Sequence, residues 1–209
     1  MQPDGRRQRR VELLATILLA VAAVATAWST YQSTRWRGEQ AVSTSKGTAA
    51  RIDSSEAATR AGQLTQIDIA TFVQWTDAHL AGNAALARFY RLRFRPEFQP
   101  AFAVWIATTP FTNRDAPLSP FAMPEYSVAE AVRSSQLNKE AGGHSDDAEQ
   151  ANERADNYVL AVVLLASALF FAGISTKLHG LLQREALLTL GWLIFLGAAI
   201  WLVTSPVST

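Results

Sequence analysis

Residues 13–31 read LLATILLAVAAVATAWSTY, nineteen positions without Asp, Glu, Lys, Arg or Pro. At ~1.5 Å rise per residue a helix of this length reaches ~28 Å, close to the hydrocarbon thickness of a bilayer. Two further windows have the same character: YVLAVVLLASALFFAGIS at 158–175 and ALLTLGWLIFLGAAIWLVT at 186–204. Three apolar windows of membrane length decide the class. The whole-chain averages conceal this, because 49% hydrophobic and 18% charged residues with a mean hydropathy of +0.05 suit a water-soluble domain equally well. The charge lies almost wholly between the windows.

The flanks predict an orientation. Arg6, Arg7, Arg9 and Arg10 directly precede the first window, and a short arginine-rich flank stays in the cytoplasm. The short connection 176–185 carries Lys177, His179 and Arg184 against one acid, Glu185, and is expected on the same side. The predicted order is a cytoplasmic N-terminus (1–12), span 1 (13–31), an extracytoplasmic domain (32–157), span 2 (158–175), a cytoplasmic hairpin (176–185), span 3 (186–204) and an extracytoplasmic C-terminus (205–209). The 13 basic and 15 acidic residues of 32–157 do not oppose this, since long segments translocate largely regardless of charge. Trp28, Tyr31, Trp36, Tyr158 and Trp201 fall at one predicted membrane interface, as an aromatic belt would. Ala25 and Ala27 form an A-x-A pattern before Trp28, but the apolar run exceeds a signal-peptide core, and a retained anchor is expected.

From residue 32 to 81 there is no proline, and Ala, Gln, Glu and Arg favour helix continuing out of the membrane. Ile52, Ala57, Ala58, Ala61, Leu64, Ile67, Thr71 and Trp75 recur at spacings of three or four, which predicts one packed face. Gly82 reads as a C-cap and Asn83 as the N-cap of a second helix through residues 84–94. Six prolines lie between Pro96 and Pro124 among Phe98, Phe102, Trp105, Phe111 and Phe121. That stretch predicts a kinked helix to about residue 108, then an irregular loop over 109–123 with a small aromatic core. A helix is expected to start at Pro124-Glu125-Tyr126 and, loosened at Gly142-Gly143, to run into span 2. The expected fold is an all-α membrane protein, with an extracytoplasmic antiparallel helical stalk and an aromatic, proline-rich cap between spans 1 and 2.

The chemistry of the residues excludes more than it offers. The chain has no cysteine, so disulfides and thiolate sites are absent, and a net charge of +1 argues against nucleic acid as a partner. His144, Asp146, Asp147, Glu149 and Glu153 lack the fixed spacing of a calcium loop and read as a solvated face. His79, one turn beyond Trp75, reads as aromatic packing. No nucleophile triad, phosphate loop or HExxH stands in the sequence, so no catalytic, metal or cofactor residue is assigned and no enzymatic activity is expected. Charge-free, proline-free spans argue against transport by one chain. Ala23, Ala27, Ala168, Ala172, Gly191, Gly197 and Ala198 suit close helix contact. Arg88, Arg91, Arg93 and Arg95, interleaved with aromatics, predict salt bridges to neighbouring helices or an acidic partner. Together with Phe111 and Phe121 they are the expected partner-binding residues.

Four phrases resemble a family: WSTYQSTRWRGEQA after span 1, FRPEFQPAFAVWIATTP, FAMPEY, and NYVLAVVLLASALFFAGI into span 2. They are similar to uncharacterised bacterial three-span membrane proteins of like size. The resemblance implies a multi-pass protein of the bacterial cytoplasmic membrane and brings no activity with it. The function expected is a non-enzymatic scaffold or accessory subunit, in contact with the bilayer and with other membrane subunits or copies of itself. A periplasmic sensor acting through a partner is the alternative, and an oligomeric pore lacks polar lining.

Overall fold

The computed structural model describes residues 3–178 and 180–208, with side chains from Arg7 onward. His179, Thr209 and the side chain of Arg6 therefore lie outside the described residues. Helices α1 (Pro3–Leu80), α2 (Ala84–Arg91), α3 (Gln99–Ala107), α4 (Ala129–Ser175) and α5 (Leu181–Thr204) are joined by loops and a short 3-10 turn at Pro120–Ala122. There is no strand among the described residues. Windows within α1, α4 and α5 are long and apolar enough to cross a membrane. Among the described residues the protein is all-helical with three such helices.

α1 is long because nothing interrupts it. Gly38, Gly47 and Gly62 each cost a helix only ~1 kcal/mol, and no proline follows Pro3 within it. Its hydroxyls are satisfied by its own backbone: Thr16, Thr26, Ser29 and Thr30 each donate to the carbonyl four residues earlier, at 2.8–2.9 Å. A polar side chain bonded in this way fits an apolar helix. α1 ends where Gly82 takes φ +72° and Asn83 N–H donates back to Ala78 at 2.9 Å. Asn83 Oδ1 then accepts from Leu86 N–H at 3.1 Å, capping α2 as expected.

The chain divides into an apolar unit, Met1–Ser45 with His144–Thr209, and an aromatic unit, Lys46–Gly143. In the apolar unit Val11, Ala15, Leu18 and Ala22 of α1 meet Leu165, Ala168 and Ala172 of α4 and Leu188, Phe195 and Ala198 of α5. The helices approach closely because the contacting residues are small. A Cβ on Gly191 would stand 3.3 Å from both the Ala168 carbonyl and Leu18 Cδ2. Of the small residues singled out in the sequence, Ala168, Ala172, Gly191 and Ala198 are internal, whereas Ala23, Ala27 and Gly197 face outward.

α5 starts earlier than the charge pattern predicts. It begins at Leu181 because the charges of the 176–185 connection are held locally. Arg184 is buried, donating to the Ser175 carbonyl at 3.1 Å and lying 3.4 Å from Glu12, and Arg7 forks onto Glu185 at 2.5 and 2.6 Å. A cation on the last carbonyl of α4 also complements that helix's negative end.

The aromatic unit differs from expectation at three places. α2 stops at Arg91 and α3 begins at Gln99, so there are two short helices and not one kinked helix. Pro96 disfavours helix at Arg95, and Pro100 fits the first turn of α3. α4 begins at Ala129 and not at Pro124, because Glu97 Oε1 accepts the Ala129 N–H at 3.4 Å, and it passes Gly142-Gly143 without a break. The inner face of α1 is Ser54, Ala57, Ala61, Asp68, Trp75 and Ala78, while Ile52 and Ile67 are 62% and 51% exposed. Two polar residues replace the aliphatic pair because both find partners inside. Ser54 donates to the Ser134 carbonyl at 2.9 Å, and Asp68 is bonded as described below.

Candidate functional sites

The aromatic unit is built on Trp75, Phe94, Phe98, Phe102 and Trp105, with Phe72, Phe121 and Tyr126 packed against them. Phe72 stands at the centre, edge-on to Phe98, Phe102, Trp105 and Phe121 at centroid distances of 5.3–6.5 Å. Edge-to-face contact places positive ring edges on negative ring faces. Trp105 Nε1 donates to the Pro117 carbonyl at 2.7 Å, which ties the 109–119 loop to this core.

Beside it lies the most unusual polar group of the unit. Asp68 has no exposed surface. Its Oδ2 accepts from Arg95 Nη1 at 2.9 Å and from the Tyr126 hydroxyl at 3.1 Å, and that hydroxyl is 3.3 Å from Thr65 Oγ1. Arg95 also pairs with Glu97. Asp68 Oδ1 is buried and has no hydrogen-bond partner among the described residues. Two carboxylates thus share one guanidinium, leaving one negative charge in excess. Burial pushes the Asp68 carboxyl above the usual carboxylate range, Arg95 and the Tyr126 hydroxyl pull it down, and Glu97 pushes it up. The Tyr126 hydroxyl is raised too, chiefly by burial. Three chain segments meet here: α1, the α2–α3 connection and the approach to α4. Asp68 escapes a hydropathy reading, yet its helical phase between Ala61 and Trp75 places it inward.

The residues expected to bind a partner separate into two sets. Arg95 and Phe121 are occupied within the unit, Arg95 by the buried carboxylate and Phe121 by Phe72, Phe98 and Tyr126. Arg88, Arg91 and Arg93 remain exposed and form no ion pair among the described residues, so the expected salt bridges hold for Arg95 alone. The guanidinium carbon of Arg93 lies over Phe89, 3.5 Å from the ring centre, and Leu92 beside it is 69% exposed. Phe111 is half-exposed and stacks on His79, which stacks in turn on Trp75.

In the apolar unit the expected interface aromatics have two roles. Trp28 and Tyr31 are exposed neighbours, and Trp201 is exposed. Trp36 Nε1 and the Tyr158 hydroxyl both donate to the Pro206 carbonyl, at 3.3 and 3.1 Å. Gln32, fully buried, clasps Ser208: its Oε1 accepts the Ser208 N–H at 3.0 Å and its amide donates to the Ser208 carbonyl at 3.4 Å. The residues after α5 are thereby fastened to α1 and α4. Above them is a cavity of about 390 Å³ lined by Trp36, Glu39, Ser43, Asp147, Gln150 and Arg154, with Val207 and Ser208. His144 and Asp147 of the acidic run approach to 3.8 Å, and no metal-binding group of three or more acids and imidazoles occurs among the described residues. Compared with protein-family models, with curated proteins and with solved structures, the chain matches none.

Proposed function

We propose that this chain is a non-enzymatic membrane scaffold or accessory subunit, anchored by three spans, whose extracytoplasmic helical domain docks another membrane subunit. In this reading the N-terminus is cytoplasmic, residues 32–157 form an antiparallel stalk with an aromatic cap, and the membrane is the bacterial cytoplasmic one. The observation that supports it best is the outer side of α2 and of the turn that follows it. Arg88, Arg91 and Arg93 are exposed and meet no carboxylate among the described residues, next to exposed Phe89 and Leu92, while the neighbouring aromatics are used up internally. Arginine beside aromatic and aliphatic surface is the composition of interface anchors, and it calls for an acidic partner with an apolar centre.

The full chain purified in mild detergent should bring a stoichiometric second membrane protein with it. Replacing Arg88, Arg91 and Arg93 with Glu together should remove that protein while leaving helix content unchanged. Phe89→Ser with Leu92→Ser should weaken the association independently of charge. Association that survives both changes, and is lost instead on enlarging the outward-facing Ala23 and Ala27 to Leu, places the contact in the membrane and overturns the assignment.

A further inference from the structure

The cavity over the fastened tail brings a cation, an aromatic ring and carboxylates to one space. Arg154 of α4 lies over the ring of Trp36, 4.6 Å from its centre, and makes no ion pair among the described residues. A guanidinium over a ring face can still offer N–H groups at its edge to a further acceptor. Glu39, on α1, lines the same cavity, is exposed, and has no ion-pair partner there either. A cation and an anion therefore face one space without joining.

Their height above the membrane is fixed by the helices that carry them. Gln32, Tyr158 and residues 205–208 are bonded together, which sets the ends of all three apolar windows at one level. Trp36 is five residues past Tyr31 and Arg154 four before Tyr158, so they stand ~7.5 and ~6 Å beyond the hydrocarbon edge. The headgroup layer of one leaflet is ~5–7 Å thick. Arg154 is thus level with lipid phosphates. Glu39 is eight residues past Tyr31, so its backbone stands ~12 Å beyond the hydrocarbon edge and ~6 Å above that of Arg154. A helical side chain tilts towards the helix N-terminus, here towards the membrane, which brings the carboxylate down towards a group two carbons beyond the phosphate.

We propose that this cavity binds the zwitterionic headgroup of an aminoethyl phosphodiester lipid, Arg154 taking the phosphate and Glu39 the primary ammonium. Three donors on a primary ammonium suit a carboxylate. A trimethylammonium has no N–H to give Glu39, and the Trp36 face that might receive it is covered by Arg154. A glycerol headgroup leaves a net negative charge beside Glu39 and Asp147. The inference requires only that the three apolar helices lie in a bilayer, and it is independent of the α2 docking surface.

Native mass spectrometry of the full chain tests it, with equimolar dioleoyl phosphatidylethanolamine, phosphatidylcholine and phosphatidylglycerol supplied in detergent. The ethanolamine lipid should be retained roughly three- to fivefold over the other two, as one or two partly solvated charge contacts allow. Arg154→Gln should lower its retention, and Glu39→Lys should turn the preference towards phosphatidylglycerol, a gain that misfolding does not produce. Soluble O-phosphoethanolamine should not displace the lipid. Equal retention of the three lipids, an ethanolamine preference that persists in Glu39→Lys, or displacement by the free headgroup overturns the proposal.

Discussion

The two units solve opposite solvent problems with opposite residues. The apolar unit is closed by Ala15, Ala22, Ala168, Ala172, Ala198 and Gly191, the aromatic unit by Phe94, Phe98, Phe102, Trp75 and Trp105. Lipid offers little reward for moving an apolar side chain from tails to protein, so helices there gain by approaching closely. Water rewards buried area, and aromatic rings supply the most per residue. Charge follows the same division. The apolar unit pairs Arg7 with Glu185 and Arg184 with Glu12 where the 176–185 connection meets α1, whereas the aromatic unit takes a carboxylate inside.

The sharpest way to break this contrast is to remove Arg95. Asp68 would be left buried without its cation, and Arg95→Ala should cost the aromatic unit about 3–5 kcal/mol. Denaturant unfolding followed by tryptophan fluorescence measures it, and a loss below about 1 kcal/mol would show that water reaches Asp68 after all. Phe98→Ala should cost a similar ~3–5 kcal/mol as a deletion of a fully buried ring, against less than about 1 kcal/mol for Phe111→Ala at the surface. Near-equal effects of the two would mean that the core is not centred on Phe98. In the apolar unit the reverse change is the damaging one. Gly191→Leu forces a side chain against the Ala168 backbone and Leu18 and should cost about 1–3 kcal/mol without moving the aromatic unit's transition.

Acidity sharpens the comparison further. The folded Asp68 carboxyl lies above its unfolded value of 3.8, so its contribution to stability is fully present below that value and is lost as pH rises through the folded one. The difference in stability between the native chain and Asp68→Asn should therefore shift in favour of the native chain as pH falls from neutral towards ~4. A difference that stays flat over that range would show that Arg95 and the Tyr126 hydroxyl outweigh burial. The smallest effect belongs to Arg7, whose pair with Glu185 is mostly solvated; Arg7→Ala should change stability by less than about 1 kcal/mol and lose even that in high salt.

The helical class and the three membrane-length helices were legible because charge exclusion over eighteen or nineteen residues is a long, unambiguous signal. The Gly82-Asn83 junction was legible for another reason, since each residue has a local conformational purpose. What escaped depended on distance along the chain. Asp68 meets partners 27 and 58 residues away, and Glu97 caps a helix 32 residues later. Neither spacing leaves a local mark. Ile52 and Ile67 misled because hydropathy ranks them above Ser54 and Asp68, although the period of the helix turns the polar pair inward. In the proline-rich stretch the sequence placed the helix break only loosely, because Pro96 restricts Arg95 and denies residue 92 a helical hydrogen bond, whereas Pro100 is tolerated in the first turn of a new helix.

The backbone-bonded hydroxyls of α1 have a consequence for how this chain tolerates change. Of these, Thr16 and Thr30 are exposed; they differ from Val in composition, but with each proton returned to the helix they present mainly carbon outward. Exchange between hydroxyl and methyl at the outward-facing positions 16 and 30 is therefore nearly silent to a bilayer. Kindred chains can drift in apparent polarity along this helix while its insertion is preserved, whereas Gln32, whose amide has a specific clasp to keep, has no such freedom.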